Sequence, residues 1–115
     1  MTKVHPLKKC TDALFHLKIM LLRAPYAQDI KLHGFRTQAE TLEHSFFQAR
    51  LGYIYFEEMD RQCQNKDKTW SGLVRYSHRA FSSWACKMNR LAYQIQRHLI
   101  QEYNFQTVQI LPRRN

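Results

Sequence analysis

A chain of 115 residues is expected to form one domain. Its 44% apolar and 23% charged content is that of a globular protein and excludes disorder away from the ends. Eighteen Lys and Arg against nine Asp and Glu leave a charge of +9, an excess that repels itself in a compact state and that a polyanionic partner would relieve.

Pro6 suits a first helical turn, where its missing N–H is not needed. Leu7, Cys10, Leu14, Leu17 and Leu21 then recur at spacings of three and four, and Phe15, Ile19 and Leu22 widen the stripe. This predicts an amphipathic helix over 6–23, ended by Ala24-Pro25. Pro25 to Gly34 reads as a two-turn helix or an ordered loop. Thr37 and Glu40 have capping-box spacing and predict the start of a second long helix, over 38–63. Leu42, Phe46, Ala49, Tyr53, Phe56 and Cys63 form its apolar stripe, with Phe47, Leu51 and Ile54 as a second stripe beside it.

Gln62 to Lys68 is the expected connection. From Trp70 a heptad pattern runs through Val74, Ser77, Phe81, Trp84, Met88, Leu91, Ile95 and Leu99. Unbroken to Tyr103, this third helix would be on the order of 50 Å long. Phe105 to Pro112 reads as an extended apolar tail. The expectation is an all-α fold: a small helical bundle with two long amphipathic helices, an extended C-terminal tail, and loose ends at about 1–5 and 112–115.

Charge is segregated along the chain. Residues 1–39 carry net +5, residues 40–67 net −3 and residues 68–115 net +7. No acidic residue occurs in the 34 positions between Asp67 and Glu102, which hold Lys68, Arg75, Arg79, Lys87, Arg90 and Arg97. At about 100° per residue, Lys68, Arg79, Arg90 and Arg97 fall within about 60° of Arg75, with Lys87 further round. The apolar set falls at about 160–280° from Arg75, so the cations oppose the core face. Ordinary helix surfaces mix signs and gain from i, i+4 pairs; this one forgoes them. The pattern predicts a nucleic-acid-binding face made of those six residues, with Tyr76, His78, Tyr93 and His98 at its border for stacking or hydrogen bonding.

Little else suggests chemistry. Glu57, Glu58 and Asp60 are the only carboxylate cluster, and no His lies near them. The six His show neither HxxxH nor HExxH spacing, and the three Cys show no metal-type spacing; buried structural thiols are expected for all three. No catalytic residue, metal or cofactor is expected. The first residues do not read as a secretory signal, and the chain is expected to be cytoplasmic, without membrane insertion. Tyr53-Ile54-Tyr55-Phe56 is apolar nearly all round its helix, which implies burial on more than one side. Tyr53, Tyr55 and Phe56, with Phe105 and Ile110 of the tail, are therefore the expected partner interface, to other protein subunits or to a second copy.

Leu51-Gly52-Tyr53-Ile54-Tyr55-Phe56-Glu57 and Leu73-Val74-Arg75-Tyr76-Ser77-His78, on successive helices, resemble the helical bundle of the small subunit of CRISPR effector complexes. The resemblance covers less than half of the chain. It implies a basic helical subunit, serving antiviral defence, that contacts guide or target strands by charge. In size and charge the chain is also similar to the basic helical-bundle accessory proteins of reverse transcriptases. The expected function is thus a non-catalytic subunit of a nucleoprotein assembly that binds the phosphate backbone of RNA or single-stranded DNA. An oligomerising adaptor or chaperone for an acidic protein is the alternative.

Overall fold

The computed structural model describes residues 4–24, 28–64 and 66–103. They form three helices: α1 (Pro6–Leu22), α2 (Ile30–Cys63) and α3 (Lys68–Tyr103). The predicted tail with Phe105 and Ile110 lies outside the described residues. No described helix is long and apolar enough to cross a membrane.

α1 begins where the sequence placed it. Pro6 occupies the first turn, and the imidazole of His5 caps it, Nδ1 accepting from the backbone N–H of Leu7 at 3.0 Å. Its last turn has no basic residue of its own. Arg36 of α2 supplies one, donating to the carbonyls of Leu21 (3.3 Å) and Ala24 (2.6 Å). A cation on the exposed carbonyl end of a helix complements the helix dipole and satisfies orphan acceptors.

α2 is longer than predicted. It starts at Ile30, not near 38, and passes straight through Gly34 and the Thr37–Glu40 spacing. Thr37 does not cap; its hydroxyl donates back to the carbonyl of His33 at 3.1 Å. The true cap is Asp29, whose Oδ1 accepts from the N–H of Leu32 at 2.9 Å. Burial of Leu32, Phe35 and Ala39 then stabilises the first turns, which outweighs the helix cost of one glycine. A Cβ at Gly34 would meet nothing within 4 Å. Gly34→Ala is accordingly expected to raise stability by about 0.5–1 kcal/mol, read as a higher urea midpoint at unchanged slope.

α3 runs unbroken through Ser82-Ser83. It is the central element, packed along both α1 and α2, which touch each other far less. His5 meets His78 and Cys10 meets Met88, so α1 lies parallel to α3. Tyr53 meets His78, Phe46 meets Phe81 and Phe35 meets His98, so α2 lies antiparallel. The core is one continuous cluster in which Phe46, Phe81, Leu17, Met20, Leu32, Met88, Ile95 and Leu99 are fully enclosed. Phe15 and Leu22, read as widening the buried stripe of α1, are instead exposed, because α1 has neighbours on one side only. Beyond Tyr53 on α2 and before Ser77 on α3 no described residue is buried. That end of the molecule is a two-helix hairpin with α1 no longer beside it.

Candidate nucleic-acid interface

Lys68, Arg75, Arg79, Lys87, Arg90 and Arg97 are all exposed, on the side of α3 away from its buried residues. None of them has a carboxylate partner among the described residues. Six of the nine acids are engaged elsewhere, and the other three, Glu40, Asp60 and Glu102, form no ion pair with these cations. Asp12 pairs with Lys8 (3.0 Å), Glu43 with Lys18 (2.6 Å) and Glu58 with Arg61 and Gln62. Glu57 accepts from Tyr53, Asp67 accepts from the N–H of Thr69 at the start of α3, and Asp29 is held by His98 and Tyr103. None of the residues outside the described ones is acidic. The positive field over α3 is therefore not cancelled locally.

α2 turns this row into the wall of a groove. Two adjoining concavities, with cavity volumes of about 430 and 480 Å³, lie between α2 and α3 and share Arg90 and Gln94. The first is bordered by Thr37, Gln38 and Thr41 of α2 and by Lys87. The second is bordered by Lys31 of α2 and by Tyr93, Arg97 and Gln101. Four cations thus converge on a lining that contains no carboxylate. Arg97 also lies over the Tyr93 ring, 5.9 Å from its centroid. Lys87, Arg90 and Arg97 were legible from the α3 wheel. Lys31 and Gln38 were not, since only the packing of α2 on α3 sets them opposite the row. Lys68, Arg75 and Arg79 line neither concavity and continue the row toward the hairpin end.

Two border residues are corrected. His98 is buried, and its Nε2 lies 2.7 Å from Asp29 Oδ2, which also accepts from the Tyr103 hydroxyl at 2.5 Å. The Tyr103 and His98 hydrogen bonds and the Leu32 N–H hold the Asp29 carboxyl far below its usual range. This cluster locks the end of α3 to the start of α2 and commits the Nε2 of His98, which borders the second concavity, to Asp29. His78 faces inward as well, its Nε2 3.1 Å from the Tyr53 hydroxyl. Tyr76 and Tyr93 are exposed, as a stacking role requires.

The expected partner interface divides. Tyr53 is only 2% exposed and belongs to the chain's own core, beside Phe81. Its hydroxyl donates to Glu57 at 2.9 Å and lies 3.1 Å from the Nε2 of His5. Because His5 accepts at Nδ1, a neutral His5 carries its proton on Nε2 and donates to Tyr53. Burial and the Glu57 carboxylate push the Tyr53 hydroxyl up to about 12. Phe56 is half-buried against Trp70, while Tyr55 is exposed. Cys10 is enclosed and its thiol pushed up to about 11 by burial. Cys86, expected to be buried, is exposed, because it falls on the cationic side of α3. Among the described residues no three His, Cys, Asp or Glu come together as a metal site would need.

Burial, and then the charge of His5, lower the pKa of His78, against a smaller opposing pull from Glu57. Burial alone lowers that of His16. The unfolded chain therefore takes up protons at these imidazoles more readily than the folded one. Their contribution is complete above the ordinary value of 6.5 and is lost as the pH falls below it. Melting temperature is expected to drop between pH 7.5 and 5.5, and less steeply in His78→Gln. A melting temperature that rises on acidification would contradict this assignment.

No family model, curated protein or solved structure matches this chain.

Proposed function

We propose that the chain is a non-catalytic, nucleic-acid-binding subunit of a larger nucleoprotein assembly, holding a single-stranded RNA or DNA backbone along the groove between α2 and α3. The observation that carries this reading is the convergence of Lys31, Lys87, Arg90 and Arg97 on a groove without a carboxylate, continued by Arg79, Arg75 and Lys68. Arginine offers a planar fork to phosphate oxygens and also stacks on bases. Helices whose axes lie about 8–10 Å apart are in contact, so the groove is a surface depression along which a strand would lie. Thr37, Gln38, Thr41, Gln94 and Gln101 offer hydrogen-bonding groups along the same path, and Tyr93 offers a ring face. Binding of this kind is backbone-directed and weakly sequence-specific. The resemblance to CRISPR small subunits agrees with this reading, in which a guide or target strand would occupy the groove.

The test is titration of labelled single-stranded RNA, single-stranded DNA and duplex across a salt series. Four phosphate contacts predict a log–log salt slope of about −3 for a single strand. Binding that is absent, or indifferent to salt, overturns the proposal. Binding confined to acidic proteins would favour the adaptor reading instead.

A further inference from the structure

α2 carries a second apolar line that the described residues do not bury. Phe47, Leu51 and Ile54 are 41%, 69% and 56% exposed, on a face about 80–160° round the helix from Phe46 and Tyr53. With Glu40, His44, Glu58 and Arg61 they make an uninterrupted 4-3-4-3-4-3 series, which is the spacing of a coiled-coil seam. On the helix these seven residues fall within an arc of about 100°. Six are exposed and Glu58 is half-exposed. The seam runs on past Tyr53, along the part of α2 that α1 does not reach.

The order of residues along the seam identifies what covers it. Its apolar centre is flanked by Glu40 and His44 at one end and by Glu58 and Arg61 at the other. Two copies paired in parallel would set Glu40 on Glu40, Glu58 on Glu58 and Arg61 on Arg61. Paired antiparallel about Leu51, they set Glu40 toward Arg61 of the other copy and His44 toward its Glu58, with Phe47 and Ile54 meeting across the axis. The seam is thus complementary in charge and apolarity to its own reverse, as an isologous two-fold contact requires. Within one chain Arg61 already pairs with Glu58, which also accepts from Gln62, so in the dimer the exposed Arg61 guanidinium is shared between Glu58 and the Glu40 of the other copy.

We propose that a second copy of this chain docks on the α2 seam, as an antiparallel two-fold dimer centred on Leu51. The contact lies on the surface of α2 away from the α3 cations, so both grooves of the dimer stay open. It does not depend on the nucleic-acid reading.

The experiment is sedimentation of nuclease-treated protein in high salt, so that no polyanion bridges two copies, from low micromolar to a few hundred micromolar. The mass is expected to rise from 13.9 kDa toward twice that value. Leu51→Glu should stay monomeric with unchanged far-ultraviolet circular dichroism, since Leu51 contributes nothing to the monomer's core. Charge exchange then tests the orientation, on the same nuclease-treated protein at low salt, where exposed pairs are not screened. Glu40→Arg and Arg61→Glu, each alone, should weaken association at least several-fold, and the double variant should restore it. A wild-type chain that stays monomeric throughout overturns the proposal, even if the seam captures an unrelated helix. Single charge variants without effect, or a double variant that is weaker than either, overturn the antiparallel arrangement.

Discussion

Phe81→Ala is expected to cost about 3–5 kcal/mol, the range for removing a fully enclosed phenylalanine. Phe81 is completely buried, and its ring meets Phe46 edge-on at 5.6 Å and Tyr53 edge-on at 5.3 Å. Trp84 shields it on α3 itself, at 6.3 Å. It lies between the His5–His78 and Cys10–Met88 contacts, so the cavity it would leave is enclosed within the three-helix part. A domain of this size has a total stability of about 5–15 kcal/mol, so this single change takes a large share of it. The fall in melting temperature should be on the order of 15–25 °C. Urea unfolding followed by tryptophan fluorescence measures it. A loss below about 1 kcal/mol would mean that α2 and α3 do not meet at this ring.

Charge reversal in the groove should have the largest functional effect. Arg90 borders both concavities and Arg97 the second, and both are exposed, so Arg90→Glu and Arg97→Glu leave the core untouched. A charge-assisted hydrogen bond to phosphate is worth about 1.5–3 kcal/mol, so each change is expected to weaken single-strand binding about tenfold or more. Each lost contact should also reduce the magnitude of the salt slope by about 0.7 to 1. Lys8→Glu, on α1 and already paired with Asp12, is the control and should leave affinity within about two-fold. Equal effects at Lys8 and Arg90 would point to a diffuse attraction without a groove.

Two of the three helices could be read closely from the residues, and for local reasons. Pro6 and Ala24-Pro25 bracket α1, and the series from Trp70 to Leu99 keeps one phase throughout α3. The start of α2 could not be read, because its determinants are distant. Asp29 caps the helix while bonded to His98 and Tyr103, which lie 69 and 74 residues further along the chain. Against that, Gly34 and the Thr37–Glu40 spacing are local signals of a boundary that tertiary packing overrides. The cationic row was visible because one helix carries it. The groove was not, since it also needs Lys31, Thr37, Gln38 and Thr41 from a helix whose placement no sequence period encodes. His78 and His98 were misplaced for a related reason. Each lies at the edge of the α3 wheel, where a neighbouring helix decides between solvent and core.

The parallel pairing of α1 with α3 bears on how the chain is made. α2 and α3 are neighbours in sequence and can zip together from their short connection. α1 emerges first, yet its thiol at Cys10 ends beside Met88, 78 residues later. At a synthesis rate of about 5–20 residues per second, the Cys10–Leu14–Leu17 face waits on the order of 5–15 s for its partner. During translation that face is the longest-lived sticky surface of the molecule, and it is where a nascent-chain chaperone would have most to hold.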